Sequence, residues 1–284
     1  MRQAAATLAS GQRVKATSRA WLVISGIAAN GAGSRPGAYL ESLLSLVFAL
    51  VAGSYASVGQ AGGTGYVAVM GLAGFTPDVI KPTALALNIL VAGIGCSRFY
   101  RAGLLTWRSC YPFGMLGAPF SLLGGAIHLP AALYQPIVGA LLLLAAAQML
   151  RMARFTSLQD KGAPHRPPFM ASLLAGGVIG LVSGITGVGG GIFLAPLILW
   201  LGWTETRKAS AVSAAFNLLN SAAALAGTWA TMPTLPTTLP WWLAAVGFGA
   251  LIGSWLGVHH LPPKVLRIIL SALLLAAGLR MILA

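Results

Sequence analysis

The chain is poor in acid. Its 284 residues hold only four Asp and Glu side chains, Glu41, Asp78, Asp160 and Glu205, and these lie far apart. That scarcity excludes the carboxylate pair of a glycoside hydrolase, an acidic dyad and a carboxylate cage for a metal. Cysteine is nearly as scarce: Cys96 and Cys110 flank a basic loop at a spacing that suits neither a disulfide framework nor a zinc site. The four histidines are scattered apart from the neighbours His259 and His260. No metal, no cofactor and no catalytic Ser/His/Asp set is drawn from these residues, so an enzyme is not expected.

What is present is apolar. Hydrophobic residues make up 57% of the chain and charged ones 8%, with a mean hydropathy of +0.82. Globular domains are about a quarter charged, so this chain lacks the polar surface to cover itself in water. Lys and Arg number 18 and give a net charge of +14. Nucleic-acid binders spread such charge over a soluble polar surface. Here the basic residues sit between long apolar runs, so a nucleic-acid partner is excluded and a bilayer is expected.

Apolar stretches fall at about 41–73, 80–97, 109–128, 132–151, 170–201, 209–229, 240–259 and 263–283. Most are of the length a membrane helix needs, roughly 20 residues. The first and fifth are longer and are interrupted by glycine. Residues 1–38 form a basic tail rich in Ala and Ser, too long for an ordinary secretory signal. If every stretch crosses once, 13 of the 18 basic residues share one side with both termini, and basic loops mark the cytoplasmic face. Eight crossings with both termini in the cytoplasm of an inner-membrane protein is the resulting expectation. Re-entry of a long stretch would change it.

The chain also repeats itself. At an offset of 127, Gly53/Gly180, Gly62/Gly189, Gly63/Gly190, Ala68/Ala195, Leu72/Leu199, Lys81/Lys208 and Ala84/Ala211 coincide, with Asp78/Glu205 and Thr83/Ser210 as conservative matches. At 132, His128-Leu129-Pro130 meets His260-Leu261-Pro262 and Gly117-Ala118 meets Gly249-Ala250. The expected fold class is therefore an all-α polytopic membrane protein of about eight helical segments. They form two duplicated four-segment halves, 39–154 and 169–284, joined by a cytoplasmic linker at 155–168. An even number of crossings per half makes the halves parallel; re-entry or a missed span in each makes them inverted.

Two glycine-rich breaks occupy matching frames. The first is Gly59-Gln60-Ala61-Gly62-Gly63-Thr64-Gly65 and the second Gly184-Ile185-Thr186-Gly187-Val188-Gly189-Gly190-Gly191. Glycine weakens a helix interior and permits angles that unwind it. Within a bilayer the freed amides need partners in protein, water or ligand. A half-helix resuming after such a break aims its N-terminal amides, and the positive end of its dipole, at the centre, an arrangement suited to an anion. The plainer account is that the glycines only let helices pack closely. A nucleotide loop is disfavoured, since no lysine follows within the loop.

Further polar candidates follow each break: Thr83 and Asn88 in the first half, Ser210, Ser213, Asn217 and Asn220 in the second. Ser213, Asn217 and Asn220 share a helix face by spacing. Each also reads as interhelical glue. Lys81 and Lys208, each three residues after an acid, read as a loop ion pair or helix-end anchor ahead of an anion-attracting vestibule. His128 and His260 read as turn residues at the membrane edge. The middle of every span lacks an ionisable side chain, which argues against coupling through a buried carboxylate.

This pattern resembles the sulfite exporter TauE/SafE family of membrane permeases. The resemblance rests on two halves opening with glycine-rich breaks, on Phe193-Leu194-Ala195-Pro196-Leu197, on Lys208-Ala209-Ser210-Ala211 and on Asn217, and covers roughly residues 41–284. The first half departs from it at Gln60-Ala61, Thr64 and Val69. The resemblance implies transport of sulfite, thiosulfate or a small organosulfonate across the inner membrane. The amides of Gly62, Gly63, Gly189, Gly190 and Gly191 would replace the anion's hydration, with Gln60, Thr64, Asn88, Thr186, Ser213 and Asn217 as side-chain partners. An anion channel using the same site, and a membrane protein that transports nothing, are the alternatives. The sequence leaves the oligomeric state open.

Overall fold

The computed structural model describes residues 36–57, 59–154, 167–230, 235–259 and 263–283. The basic tail up to residue 35, most of the linker at 155–168 and the His260-Leu261-Pro262 match lie outside the described residues. By contacts the chain divides into Met1–Leu44 and Ser45–Ala284. The described residues of the first unit are the opening turns of one helix; all that follows concerns the second.

Ten helices are found among the described residues: α1 Pro36–Ser57, α2 Gly63–Ala73, α3 Pro77–Arg101, α4 Trp107–Ala126, α5 Ala131–Arg154, α6 Phe169–Thr186, α7 Gly191–Trp200, α8 Thr206–Trp229, α9 Leu239–His259 and α10 Pro263–Leu283. No strand occurs among those residues. Five helices are long and apolar enough to cross a bilayer, those built on α3, α5, α6, α8 and α10. Large apolar side chains point outward along them, including Leu144, Val178, Leu219 and Ile269. Outward-facing Leu and Phe in this density suit lipid rather than water.

The two long apolar stretches do not cross as single helices. Each is split at its glycines and folds back on itself. In the first, Gly65 of α2 lies against Val51 and Tyr55 of α1, where an added Cβ would come 2.5 Å and 2.8 Å from their side chains. The rings of Phe48 and Tyr66 meet edge to face at 5.9 Å. Phe48 and Phe75 pack on the same indole, Trp242, at 5.2 Å and 6.2 Å. Thus α2 runs back along the α1 segment it follows. In the second, Ile179 of α6 lies beside Gly190. Ala171, near the start of α6, packs on the same cluster as Leu199, Leu201 and Trp203 beyond the middle of α7. The stretches 41–73 and 170–201 are therefore helical hairpins rather than single helices.

The turns explain the reversal. Gly59, Gly187 and Gly189 take φ of +76°, +75° and +77°. This left-handed backbone strains any residue with a Cβ, and here it ends one helix and redirects the chain.

Cross-chain contacts fix the directions of the other helices. Asn88 of α3 faces Asn217 and Ser221 of α8, and Lys81 and Thr228 bond the same carbonyl, that of Gly125. Near the opposite end, Gly59 lies between Phe99 and Ser210. α3 and α8 are therefore antiparallel. So are α5 and α10, which touch at Gly139 and Gly278 and again where Arg267 donates to the Met152 carbonyl. By contrast α4 runs parallel to α6, with Phe113 on Gly176, Gly117 on Gly180 and Ser121 on Gly184, backbone against backbone. α9 runs parallel to α1 in the same way, through Ala49 on Gly249 and Gly53 on Gly253. Small residues at these crossings let main chains approach and gain dispersion contacts that a side chain would forbid.

Candidate functional site

The two hairpin tips meet at the middle of the antiparallel α3–α8 pair. Gly63, the first residue of α2, is packed against the Val188 carbonyl of the other tip, and a Cβ there would also stand 3.2 Å from the Asn88 amide carbon. Gly189 is packed against the amides of both Asn88 and Asn217, the latter 2.5 Å from where a Cβ would stand. Gly191, first residue of α7, donates its amide to Asn217 Oδ1 at 3.4 Å. The two asparagines bond reciprocally, Asn88 Nδ2 to Asn217 Oδ1 at 3.1 Å and Asn217 Nδ2 to Asn88 Oδ1 at 3.3 Å. Asn88 also donates to Ser221 Oγ at 2.7 Å. A ladder of two amides and a hydroxyl thus closes the α3–α8 contact where both half-helices begin.

Both half-helices direct their first-turn amides at this place. In α2 the bond from Tyr66 N to the Gly62 carbonyl opens the helix, so the amides of Gly63, Thr64 and Gly65 precede it. In α7 the bonds begin with Phe193 and Leu194, both to Gly190. Helix starts carry positive partial charge and spare donors.

Several buried polar atoms of α3, α6, α8 and the first tip have no partner in the protein: Ser213 Oγ, both amide atoms of Asn220, Thr83 Oγ1, Ser183 Oγ and Gln60 Oε1. Such atoms cost roughly 1–3 kcal/mol each unless something bonds them. Of these residues, Asn220 lies beside Gly190 and Ser213 beside Gly191, at the start of α7, a place suited to a hydrated or polar guest.

The candidate residues separate into groups. Gly63, Gly189, Gly191, Asn88 and Asn217 come together, and the Ser213 carbonyl lies 3.1 Å from the Cβ position of Gly191. Gly62 sits under the ring of Tyr66, and Gly190 faces Phe216, Ile179 and Asn220. The Thr64 hydroxyl is bonded to Tyr55 Oη at 2.7 Å within the first hairpin. The Gln60 amide bonds the Tyr55 carbonyl at 2.9 Å. Thr186 turns its hydroxyl back to Val182, and its carbonyl accepts from Tyr134 of α5. Thr186 thus belongs to the wall of the second hairpin rather than to the asparagine centre. Sequence reasoning passed over Ser221, although its place four residues after Asn217 puts it on the same helix face. Tyr55 was missed because only the fold brings it to Thr64.

Lys81 takes the second of the two plain readings its sequence offered, the helix-end anchor. In place of a loop ion pair, its ammonium is buried and donates to three carbonyls at the end of α4: Gly124 at 3.1 Å, Gly125 at 2.8 Å and Ile127 at 2.9 Å. Cations complement helix C-termini, where carbonyls are left over. Lys208, its match in sequence, is exposed and lies 4.0 Å from Glu205. Outside Lys81 a cavity of about 140 Å³ is lined by Gly71, Phe75, Ile80, Tyr134, Gln135 and Arg280. Arg280 there donates to the Leu72 carbonyl at the end of α2. Among the described residues, no three His, Cys, Asp or Glu side chains gather as a metal site.

Apolar helices around two broken hairpins, whose starts converge on buried amides, define a polytopic membrane protein of transporter type. Residues 44–281 match the profile of the family described as "Sulfite exporter TauE/SafE". The chain is 48% identical over 239 residues to a Sinorhizobium fredii protein named "Probable membrane transporter protein", covering 84% of this chain and 97% of that one. A Methanocaldococcus jannaschii protein with the same description is 24% identical over 227 residues, 73% of this chain and 81% of its own. No solved structure matches. The chain belongs to the sulfite exporter TauE/SafE family, and it is a membrane transporter.

Proposed function

We propose that the protein is a secondary carrier moving a small sulfur-containing oxyanion, sulfite, thiosulfate or an organosulfonate, across the inner membrane by alternating access. One observation carries this reading: both half-helices start at the Asn88–Asn217 pair, so two sets of first-turn amides and two carboxamides converge at one depth. A tetrahedral oxyanion needs several donors and no nearby carboxylate, and both conditions hold there. The anion would take over the carboxamide hydrogens that the two asparagines now give each other. Ser213 and Asn220, buried without partners, would complete its shell.

Alternating access is supported by an exchange of contacts. In the 127 and 132 frames, α4 on α6 corresponds to α9 on α1: Gly117 against Gly176 becomes Gly249 against Ala49. Equivalent helices α3 and α8 run antiparallel, as do α5 and α10. Each half is then a hairpin followed by three crossings, an odd number, which makes the halves inverted. Inverted halves meeting at a fixed central site are the architecture of rocking carriers.

The same directions supply an orientation. Among the described residues, Arg98, Arg101, Arg108, Arg151, Arg207, Lys208, Lys264 and Arg267 fall at one end of the helices, and Lys81 and Arg280 at the other. The basic end is the cytoplasmic one by the charge rule, and the end of α10 then faces away from the cytoplasm. This replaces the assignment drawn from eight crossings.

The test is flux in proteoliposomes with labelled sulfite, thiosulfate and a taurine-like sulfonate. Saturable uptake with counterflow is expected. Flux without counterflow or saturation would favour an anion channel, and no flux of any sulfur anion would overturn the proposal.

A further inference from the structure

The two lysines that match across the halves occupy opposite states. Lys81, at 5% exposure, is bonded to the end of α4, and Thr83 beside it is fully buried. Its backbone is packed on the second hairpin tip, with the Lys81 Cα 3.0 Å from the Cβ position of Gly187. Lys208 has 54% of its side chain exposed and pairs only loosely with Glu205 at 4.0 Å. Ser210, the match of Thr83, is half-buried beside Gly59 of the first tip. Ile80 is buried where Arg207 is exposed. Because α3 and α8 are antiparallel, these two sets lie at opposite ends of the pathway through the asparagine centre. One end is closed by a lysine on helix-end carbonyls; the other is not.

From this we infer that Lys81 and Lys208 are alternating latches, each closing its own end of the pathway by capping the C-terminus of a neighbouring helix while the other is released to its acid. In the opposite state Lys208 caps the last turn of α9, the counterpart of the α4 end, and Lys81 swings out to Asp78. The chemistry balances: each state keeps one ammonium on carbonyls and one beside a carboxylate. Neither ammonium is ever buried without partners, which would be costly. The exchange therefore has similar energy in both directions, as a reversible carrier needs. Tyr134 reinforces the closed end, its hydroxyl bonded to the Thr186 carbonyl of the second hairpin between the outer cavity and the centre. This inference rests on the alternating-access reading, and its test is separable from transport.

The experiment measures maleimide labelling in lipid nanodiscs, where both faces meet solvent, in a Cys96→Ser, Cys110→Ser background. Thr83→Cys should label slowly and Ser210→Cys quickly. Adding Lys81→Met should raise the Thr83→Cys rate roughly tenfold or more, a shift of one decade in a two-state population, and slow Ser210→Cys. Lys81→Arg, which keeps the donors, should leave Thr83→Cys protected. Lys208→Met should also leave it protected while abolishing sulfite counterflow. A rise at both sites with Lys81→Met marks loosened packing and overturns the latch, as does no change at either. Wild-type protein that moves no sulfur anion would defeat the carrier reading, while the reciprocity of labelling would still be decided.

Discussion

Asn217 accepts from the Gly191 amide and from Asn88, and donates back to Asn88. Replacing it with alanine strands the Asn88 carbonyl and one first-turn amide. Hydrogen bonds between membrane helices are modest, about 1 kcal/mol, so the fold should survive Asn217→Ala with a small drop in melting temperature. Anion affinity should fall much further, because the substitution removes a donor aimed at the guest. A substrate-dependent rise in melting temperature, present in the parent and absent in the variant, checks this. Gly189 is sensitive for another reason. Alanine there would hold φ near +77° at a cost of roughly 1–3 kcal/mol and would press its methyl on both asparagines. Gly189→Ala should therefore abolish counterflow while the protein remains helical by circular dichroism.

Among elements, the α4–α6 crossing brings backbone against backbone over three turns, with Gly176, Gly180 and Gly184 set successively on Phe113, Gly117 and Ser121. Gly176→Ala would drive a methyl into the Phe113 carbonyl, and overpacking of this kind costs about 1–3 kcal/mol. Gly93 of α3, whose Cβ position meets nothing within 4 Å, is the contrasting case. Gly93→Ala should be neutral or stabilising by up to about 1 kcal/mol, since alanine is the better helix former. Melting in detergent should separate the two variants in opposite directions. These crossings also show what was legible in the sequence. Glycine spacing exposed the breaks and the repeat, and apolar length exposed the crossing helices. Whether a 30-residue apolar stretch with central glycines crosses or returns depends on tertiary partners such as Trp242, which holds Phe48 and Phe75 together. Local pattern contains no such information. Likewise Asn88 and Asn217 stood out as buried polar residues, but their mutual bond spans 129 positions and follows only from the antiparallel pairing of α3 and α8. Lys81 left ion pair and helix-end anchor open for the same reason, since Asp78 lies near it in sequence and the α4 carbonyls do not.

For the molecule as a whole, hairpins in place of crossings change the arithmetic of charge. Eight crossings placed Arg98 and Arg280 on one side and Lys208 and Lys264 on the other. In the proposed topology of two hairpins and six crossings, Arg98, Arg151, Lys208 and Lys264 come to one end, and among the described residues Lys81 and Arg280 remain at the other. Neither remaining cation is a loop charge of the kind that directs insertion, since Lys81 is bonded to α4 and Arg280 to the end of α2. Short basic loops set orientation, so the end bearing Arg98, Arg101 and Arg108 should be cytoplasmic. Alkaline phosphatase fused after α10 should then be active, and a green fluorescent reporter at the same place should be dark. The reverse pair of signals would mean either that the basic loops lie outside or that the second stretch is a full crossing. The prediction couples orientation to hairpin geometry: with the Arg98 end cytoplasmic, a second stretch that returns places the end of α10 outside, and one that crosses places it in the cytoplasm.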